Sequence, residues 1–145
     1  MMKVENVLQT KGTAVVTVRP HETIDALVHR FKFEKIGAVV VSSDGKAIEG
    51  MISERDVVRG LAEHGTDLLT RRVSEEMTRQ VVTCAPDDSL KDVMRKMTQH
   101  RVRHLPVTEG GKLAGIISIG DVVKNRLDDM EMEANVLRDY IIARQ

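Results

Sequence analysis

One stretch of this chain occurs twice. The run Gly50-Met51-Ile52-Ser53-Glu54-Arg55-Asp56-Val57-Val58 returns as Gly115-Ile116-Ile117-Ser118-Ile119-Gly120-Asp121-Val122-Val123, identical at six of nine positions. Upstream, Pro20-His21-Glu22-Thr23-Ile24 is echoed by Pro86-Asp87-Asp88-Ser89-Leu90, and Lys35-Ile36 by Arg101-Val102. The register slips by one residue where a turn is expected: Lys46 and Gly50 enclose three residues, Lys112 and Gly115 two. Insertions of this kind belong in turns. The 65-residue offset between Gly50 and Gly115 exceeds solenoid periods of about 20 to 50 residues, so two copies predict a pseudo-symmetric pair facing each other across a cleft.

Each copy alone lies near the lower size limit for a self-sufficient core, so the halves of the 145-residue chain are expected to fold against one another. Lys plus Arg and Asp plus Glu are 22 each, leaving a formal charge of zero and no global field to gather nucleic acid or an anionic membrane. Aromatics make up 2% and tryptophan is absent, which removes the stacking platforms of single-strand binders and further disfavours nucleic acid as a partner. The single cysteine, Cys84, sits in the apolar run Val82-Thr83-Cys84 and reads as a small core residue. The sequence has no apolar run of membrane-spanning length and no signal-peptide pattern, so a cytoplasmic location is expected.

Local patterns give each copy the order β-α-β-β-α, an α+β fold of two pseudo-symmetric repeats with an additional C-terminal helix. Val15–Val18 and Val81–Cys84 are the expected first strands. Thr23 and Ser89 are expected N-caps, ahead of the helical rows Ile24, Leu27, Val28, Phe31 and Leu90, Val93, Met94, Met97. Strands at Ala38–Val41 and Ala47–Ile52 flank Ser43-Asp44-Gly45, and strands at His104–Val107 and Leu113–Ile117 flank Gly110-Gly111. Arg72 to Met77 reads as a short helical lead-in to the second copy. The resulting divisions are a first repeat at 4–66, a linker at 67–73, a second repeat at 74–128 and an amphipathic helix at 129–145. Beyond the second copy, Val123, Leu127, Met130, Ala134, Leu137 and Ile141 follow a four-three-four-three-four spacing, which fits a seam between two such helices in a homodimer. The same spacing fits a helix that folds back on its own domain.

The chemistry rests on the paired Ser-x-x-Asp blocks. Ser53 and Ser118 fit N-caps, with Asp56 and Asp121 completing capping boxes favoured by the helix dipole. The same geometry also suits a nucleotide, since a helix N-terminus presents N–H groups to phosphate and an exposed carboxylate accepts both hydroxyls of a ribose. The second copy adds Arg101-Val102-Arg103-His104 where the first has Lys35-Ile36-Gly37-Ala38. On a regular strand Arg101 and Arg103 would share one face and His104 the other, so they converge only if the strand is just beginning. Arg55 has only Gly120 opposite it, and Lys11-Gly12-Thr13 has no counterpart, so two inequivalent clefts are expected. No phosphate loop, dinucleotide fingerprint, nucleophile elbow, metal set or acid–base pair is recognisable, and the chain reads as non-enzymatic.

The paired Gly-apolar-apolar-Ser-x-x-Asp blocks, Gly37-Ala38-Val39-Val40-Val41 and Arg103-His104-Leu105-Pro106-Val107 resemble a tandem pair of CBS domains, named after cystathionine β-synthase, over residues 4 to 128. Lys11-Gly12 before the first strand, Met77-Thr78 before the second and the charged tail from Glu131 to Tyr140 resemble the small stand-alone bacterial members. The resemblance implies two repeats packed sheet to sheet about a pseudo-twofold axis, in a regulatory module whose clefts bind adenosine-bearing ligands such as AMP, ATP or a dinucleotide like NAD, reporting energy or nucleotide status, with no cofactor required. By resemblance Asp56 and Asp121 would hold ribose and Ser53 and Ser118 would lie beside ribose or phosphate. Arg103, His104, Arg55 and Lys11 would meet phosphate, and backbone near Thr17, Thr83 and Ala38 would line the adenine. Such pairs form dimers and are often fused to the protein they regulate. Here no effector domain is recognisable, so an unknown partner or the dimer itself is expected to read the signal. The alternative is a structural dimerisation module whose degenerate clefts bind no nucleotide.

Overall fold

Thr23 and Ser89 stand at the starts of two matching helices because each hydroxyl accepts an orphan N–H of the first turn: Ala26 N–H at 3.2 Å and Asp92 N–H at 3.1 Å. The structure, a computed structural model, describes residues 2–144. In chain order it contains α1 (Val4–Lys11), β1 (Thr17–Val18), α2 (Ile24–Glu34), β2 (Ala38–Val41), β3 (Gly50–Ser53), α3 (Glu54–His64), a 3-10 turn (Gly65–Thr70), α4 (Val73–Glu76), α5 (Leu90–His100), β4 (His104–Glu109), β5 (Lys112–Ser118) and α6 (Ile119–Ala143). Helices α2 and α5 both end on a non-glycine residue in the left-handed region, Lys35 at φ 55° and Arg101 at φ 54°. In each case the cap N–H returns to the carbonyl four residues back. No described helix is long and apolar enough to cross a membrane.

The first repeat forms a three-stranded sheet, β1 parallel to β2 and β2 antiparallel to β3. The second forms the β4–β5 hairpin, closed by Gly110 and Gly111, both at positive φ as a tight two-residue turn requires. Three strand expectations need correction. The strand expected over Val15–Val18 is only Thr17–Val18. The one expected over Val81–Cys84 is reduced to a parallel bridge from Cys84 to Val107: Cys84 bonds Pro106 O and Thr108 N–H, but Pro106 has no N–H to carry the ladder on to the Val82 carbonyl. The strand expected from Ala47 starts at Gly50, because the Asp44 carboxylate takes the Lys46 and Ala47 N–H groups in a local turn. The Lys46 carbonyl instead accepts Leu113 N–H from the other repeat at 2.8 Å.

The lead-in helices are exchanged. Val4, Val7 and Leu8 of α1 are buried with Cys84, Leu90, Val93, Met97, Leu105, Val107, Ile117 and Val122 in the second repeat's core. Val73 of α4 is buried with Val18, Ile24, Leu27, Phe31, Val39, Val41 and Ile52 in the first. The backbone repeats the exchange: Val4 N–H bonds Asp88 O and Glu5 N–H bonds Pro86 O, as Val73 N–H bonds Glu22 O and Ser74 N–H bonds Pro20 O. The stretch 67–73, expected as a linker, carries Leu68 and Val73, both fully buried in the first core. Hydrophobic burial therefore ties the halves into one unit, as their small size requires.

Gly50 and Gly115 sit at matching strand positions under the two lead-ins. A Cβ at Gly50 would lie 2.5 Å from Met77 Sδ and 2.9 Å from the Thr78 carbonyl oxygen, whereas one at Gly115 would meet only the Leu8 side chain, at 2.9 Å. A side chain yields more readily than backbone. Gly50→Ala is therefore expected to lower stability by about 1 to 3 kcal/mol and Gly115→Ala by distinctly less. Denaturant unfolding of both variants checks the order, and equal midpoints would refute it.

Candidate functional site

Both Ser-x-x-Asp blocks form capping boxes, but with different use of the serine. Ser53 N–H and Ser118 N–H each donate at 2.9 Å to Oδ2 of the aspartate three residues on. Ser118 Oγ accepts Asp121 N–H at 3.1 Å, whereas Ser53 Oγ donates to Asp56 Oδ2 at 3.2 Å. The first N–H of each helix is also taken, Glu54 N–H by Gly37 O and Ile119 N–H by Arg103 O. Neither helix start therefore offers a full set of orphan donors.

Each aspartate carries a cation. Arg59, one turn along α3, pairs with Asp56 Oδ1, and Thr78 Oγ1 approaches the same oxygen at 3.5 Å. The exposed carboxylate expected at this position is buried, with 8% of its side chain accessible, beneath an Arg59 side chain that is 60% accessible. In the other half, Lys11 reaches across from α1, its Nζ 2.5 Å from Asp121 Oδ2 and 2.9 Å from the Ile116 carbonyl. Burial would raise the Asp121 carboxyl, but the Lys11 hydrogen bond, the Ser118 N–H and the Lys11 charge together hold it below the usual carboxylate range.

A cleft of about 420 Å³ opens between the repeats. Ala38, Ser53, Arg55 and Asp56 line it from the first repeat, and Arg103 and His104 from the second. Arg101 joins them because β4 begins only at His104, so strand alternation does not yet separate the three basic residues. The left-handed Arg101 turns its carbonyl to Arg55, whose Nη1 donates to it at 2.9 Å across the repeat boundary. Four arginines, Arg55, Arg59, Arg101 and Arg103, face two carboxylates, Glu54 and Asp56, together with His100 and His104. Within a chain of zero net charge this is a local positive excess, suited to an anion bearing a polar group for Asp56.

The other sequence-derived candidates do not line this cleft. Lys11, Ser118 and Asp121 meet on the opposite side of the pseudo-symmetry. Thr17 is paired with Val40 on the edge strand β1, and the Thr83 carbonyl is held by Lys96. Sequence reasoning missed Arg59, Thr78, Gln80 and His100, which do line the cleft. For Arg59 a signal was present, since it lies three residues after Asp56 on one helix face. For Thr78 and Gln80 there was none, because their place follows from the pairing of Met51 with Thr78 between repeats.

Cys84 is buried, and desolvation together with the Asp88 charge pushes its thiol up to about 11, so it serves the core as a neutral side chain. Glu63, His64 and Glu76 bring their ligand atoms within 4.8 Å of one another. Arg71 Nε already lies 2.6 Å from Glu76 Oε1, which makes the group an ion-pair network clipping α3 to α4.

Burial, reinforced by the Lys11 charge, pushes the His104 imidazole below its ordinary range. The folded protein then holds fewer protons at His104 than the unfolded chain, so stability is lost as pH falls below about 6.5 and through the folded value. Asp121, with its lowered folded value, adds stability that is present above a pH of about 4 and is lost below it. Thermal melts of His104→Gln between pH 8 and 5 are expected to flatten the first decline, and an unchanged slope would remove His104 as its cause.

The CBS domain profile matches residues 5–63 and again 72–128. The chain is 34% identical over 124 residues to the CBS domain-containing protein YhcV of Bacillus subtilis, covering 86% of this chain and 87% of that protein. The crystal structure of a CBS-domain containing protein from Agrobacterium tumefaciens superimposes with a TM-score of 0.82 at 46% identity, over 86% of this chain and 92% of that one. The CBS domain pair of protein MJ0100, solved in complex with 5′-methylthioadenosine and S-adenosyl-L-methionine, shares the fold with a TM-score of 0.77 at 20% identity, covering 89% of this chain and 98% of that one. With two matched units, an exchanged pair of lead-in helices and a cleft between the repeats, the chain belongs to the CBS domain family as a tandem CBS pair.

Proposed function

We propose that this CBS pair is a non-enzymatic regulatory module that binds an adenine nucleotide in the cleft between Asp56 and Arg103, in the cytoplasm, as a homodimer. The observation that carries the reading is the cleft's polarity: a carboxylate at one helix start, with arginines from both repeats beside it. A ribose diol can replace Arg59 on Asp56, which frees that exposed guanidinium, and Arg55, Arg101, Arg103 and the neutral His104 can meet phosphate oxygens. AMP, ATP and NAD share these groups. CBS-domain proteins are generally regulatory rather than catalytic, and the structure of MJ0100 with two adenosine-containing ligands supports the chemical class. A ligand that spans both repeats biases their arrangement only through unequal affinity for the two states.

The direct test is calorimetric titration with AMP, ATP and NAD, with guanine nucleotides as controls. Saturable, adenine-selective binding is expected. A bound phosphate beside His104 raises its proton affinity, so binding should tighten as pH falls from 8 toward 6, with proton uptake. The pairing of Asp56 with Arg59 and of Asp121 with Lys11 favours a second reading, a dimerisation module whose cleft carboxylates are already satisfied. The absence of heat and of any thermal shift with all ligands would select it.

A further inference from the structure

The long helix α6 leaves the body of the molecule. Val122 is buried in the second core, but from Met130 to Ala143 every residue is exposed. The apolar row does not fold back on its own domain: Leu127 is 56% exposed, Leu137 60% and Ile141 52%. A helical segment of this length holding bare leucine and isoleucine in water is marginal by itself and calls for a partner surface.

The charges beside the row choose the partner and its direction. Taking Leu127, Ala134 and Ile141 as one set of seam positions and Met130 and Leu137 as the other, Arg126 and Glu133 flank the seam on one side and Lys124, Glu131 and Arg138 on the other. In a parallel, in-register pair each flanking residue faces the one five positions later in the second copy. Arg126 then meets Glu131 and Glu133 meets Arg138, each twice by symmetry. Arg126, which holds Asp129 on its own helix at 3.5 Å, lies within reach of this arrangement. An antiparallel pair with the same apolar layers instead sets Glu131 against Glu131, Glu133 against Glu133 and Lys124 against Arg138, all repulsive.

We propose that α6 pairs with α6 of a second copy as a parallel, in-register, two-stranded coiled coil whose seam runs from Leu127 to Ile141. This deepens the homodimer part of the proposed function and is independent of nucleotide binding. The two CBS pairs then lie at the same end of the coil.

The test uses the full chain. Sedimentation is expected to give a dimer, and Leu137→Cys is expected to form a disulfide-linked dimer under mild oxidation, because positions 137 lie side by side in the parallel coil. Buried Cys84 does not compete. In the antiparallel pair Leu137 faces Leu127, ten residues or about 15 Å along the helix, beyond the Cα separation of about 7 Å that a disulfide spans. Glu131→Lys with Glu133→Lys is expected to weaken dimerisation by roughly tenfold or more by reversing four pairs. Adding Arg126→Glu and Arg138→Glu restores those pairs and should restore the affinity. A dimer that neither cross-links through residue 137 nor responds to the charge exchange overturns the parallel coil while leaving self-association intact. A monomeric mass overturns both, and nucleotide titration of the charge-reversed variant reads the cleft separately.

Discussion

Deleting residues 2–11 is expected to unfold the second repeat, although in sequence those residues stand at the start of the first. Val4, Val7 and Leu8 are 0%, 2% and 7% exposed, and all three are packed against side chains that lie at least 76 residues further along the chain, from Cys84 onward. Burial of an aliphatic side chain stabilises by about 1.5 to 3 kcal/mol, so losing three removes on the order of 5 kcal/mol or more. Net stabilities of domains are about 5 to 15 kcal/mol. The deletion also strands the Asp88 and Pro86 carbonyls and the Leu90 N–H, which bond α1 and its lead-in. Because the Lys46–Leu113 bond and the reciprocal seat of Val73 couple the halves, the first repeat should lose stability with the second. Circular dichroism melts and hydrogen exchange check this. A truncated chain that keeps its melting temperature within a few degrees, with α5 still protected, would refute the exchanged packing. Val4→Asp, which places an unpaired carboxylate in the same core, should behave similarly.

Asp56→Ala is expected to weaken adenine-nucleotide binding by about tenfold to a hundredfold, from the loss of charge-assisted bonds to ribose. The effect should exceed that of Asp121→Ala. Asp56 lies in the open cleft under a mobile-length arginine from its own helix, whereas Asp121 is held by a lysine anchored to a second acceptor, the Ile116 carbonyl. A ribose entering the second site would have to break that cross-repeat contact, so on the proposed function the Asp56 cleft is expected to fill first. Ser53→Ala serves as the control: Ser53 Oγ donates only to Asp56, and its loss should cost stability of about 1 kcal/mol with a smaller change in affinity. Calorimetry on the three variants, each verified as folded by its melt, decides the matter. Equal affinity in Asp56→Ala and wild type would remove Asp56 from the site, and a larger loss in Asp121→Ala would reverse the order of the clefts.

The sequence by itself determined what depends on neighbours a few residues apart. The caps at Thr23, Ser89, Ser53 and Ser118 form because an Oγ or carboxylate reaches an N–H three residues away, whatever the rest of the chain does. The Gly110-Gly111 turn and the apolar faces of α2 and α5 are equally local, and the duplication itself carried the family resemblance. The candidate site was legible as residue types: six of the proposed residues, Ala38, Ser53, Arg55, Asp56, Arg103 and His104, line one cleft.

Only the tertiary structure decided how those pieces meet. That α1 completes the second core, that Lys11 sits on Asp121 110 residues away, and that the 67–73 stretch hides Leu68 depend on contacts between segments whose separation in sequence carries no signal. The same holds where strands fell short. Val81 and Val82 fit a strand by residue type, yet they line the cleft, because the residue of β4 that would donate to the Val82 carbonyl is Pro106, which has no N–H. For α6, the spacing of Leu127 to Ile141 fitted either a folded-back helix or a seam. The direction in which the helix leaves Val122 made the difference, since the helix is anchored at one end by burial and, from Met130 to Ala143, is covered by none of the described residues.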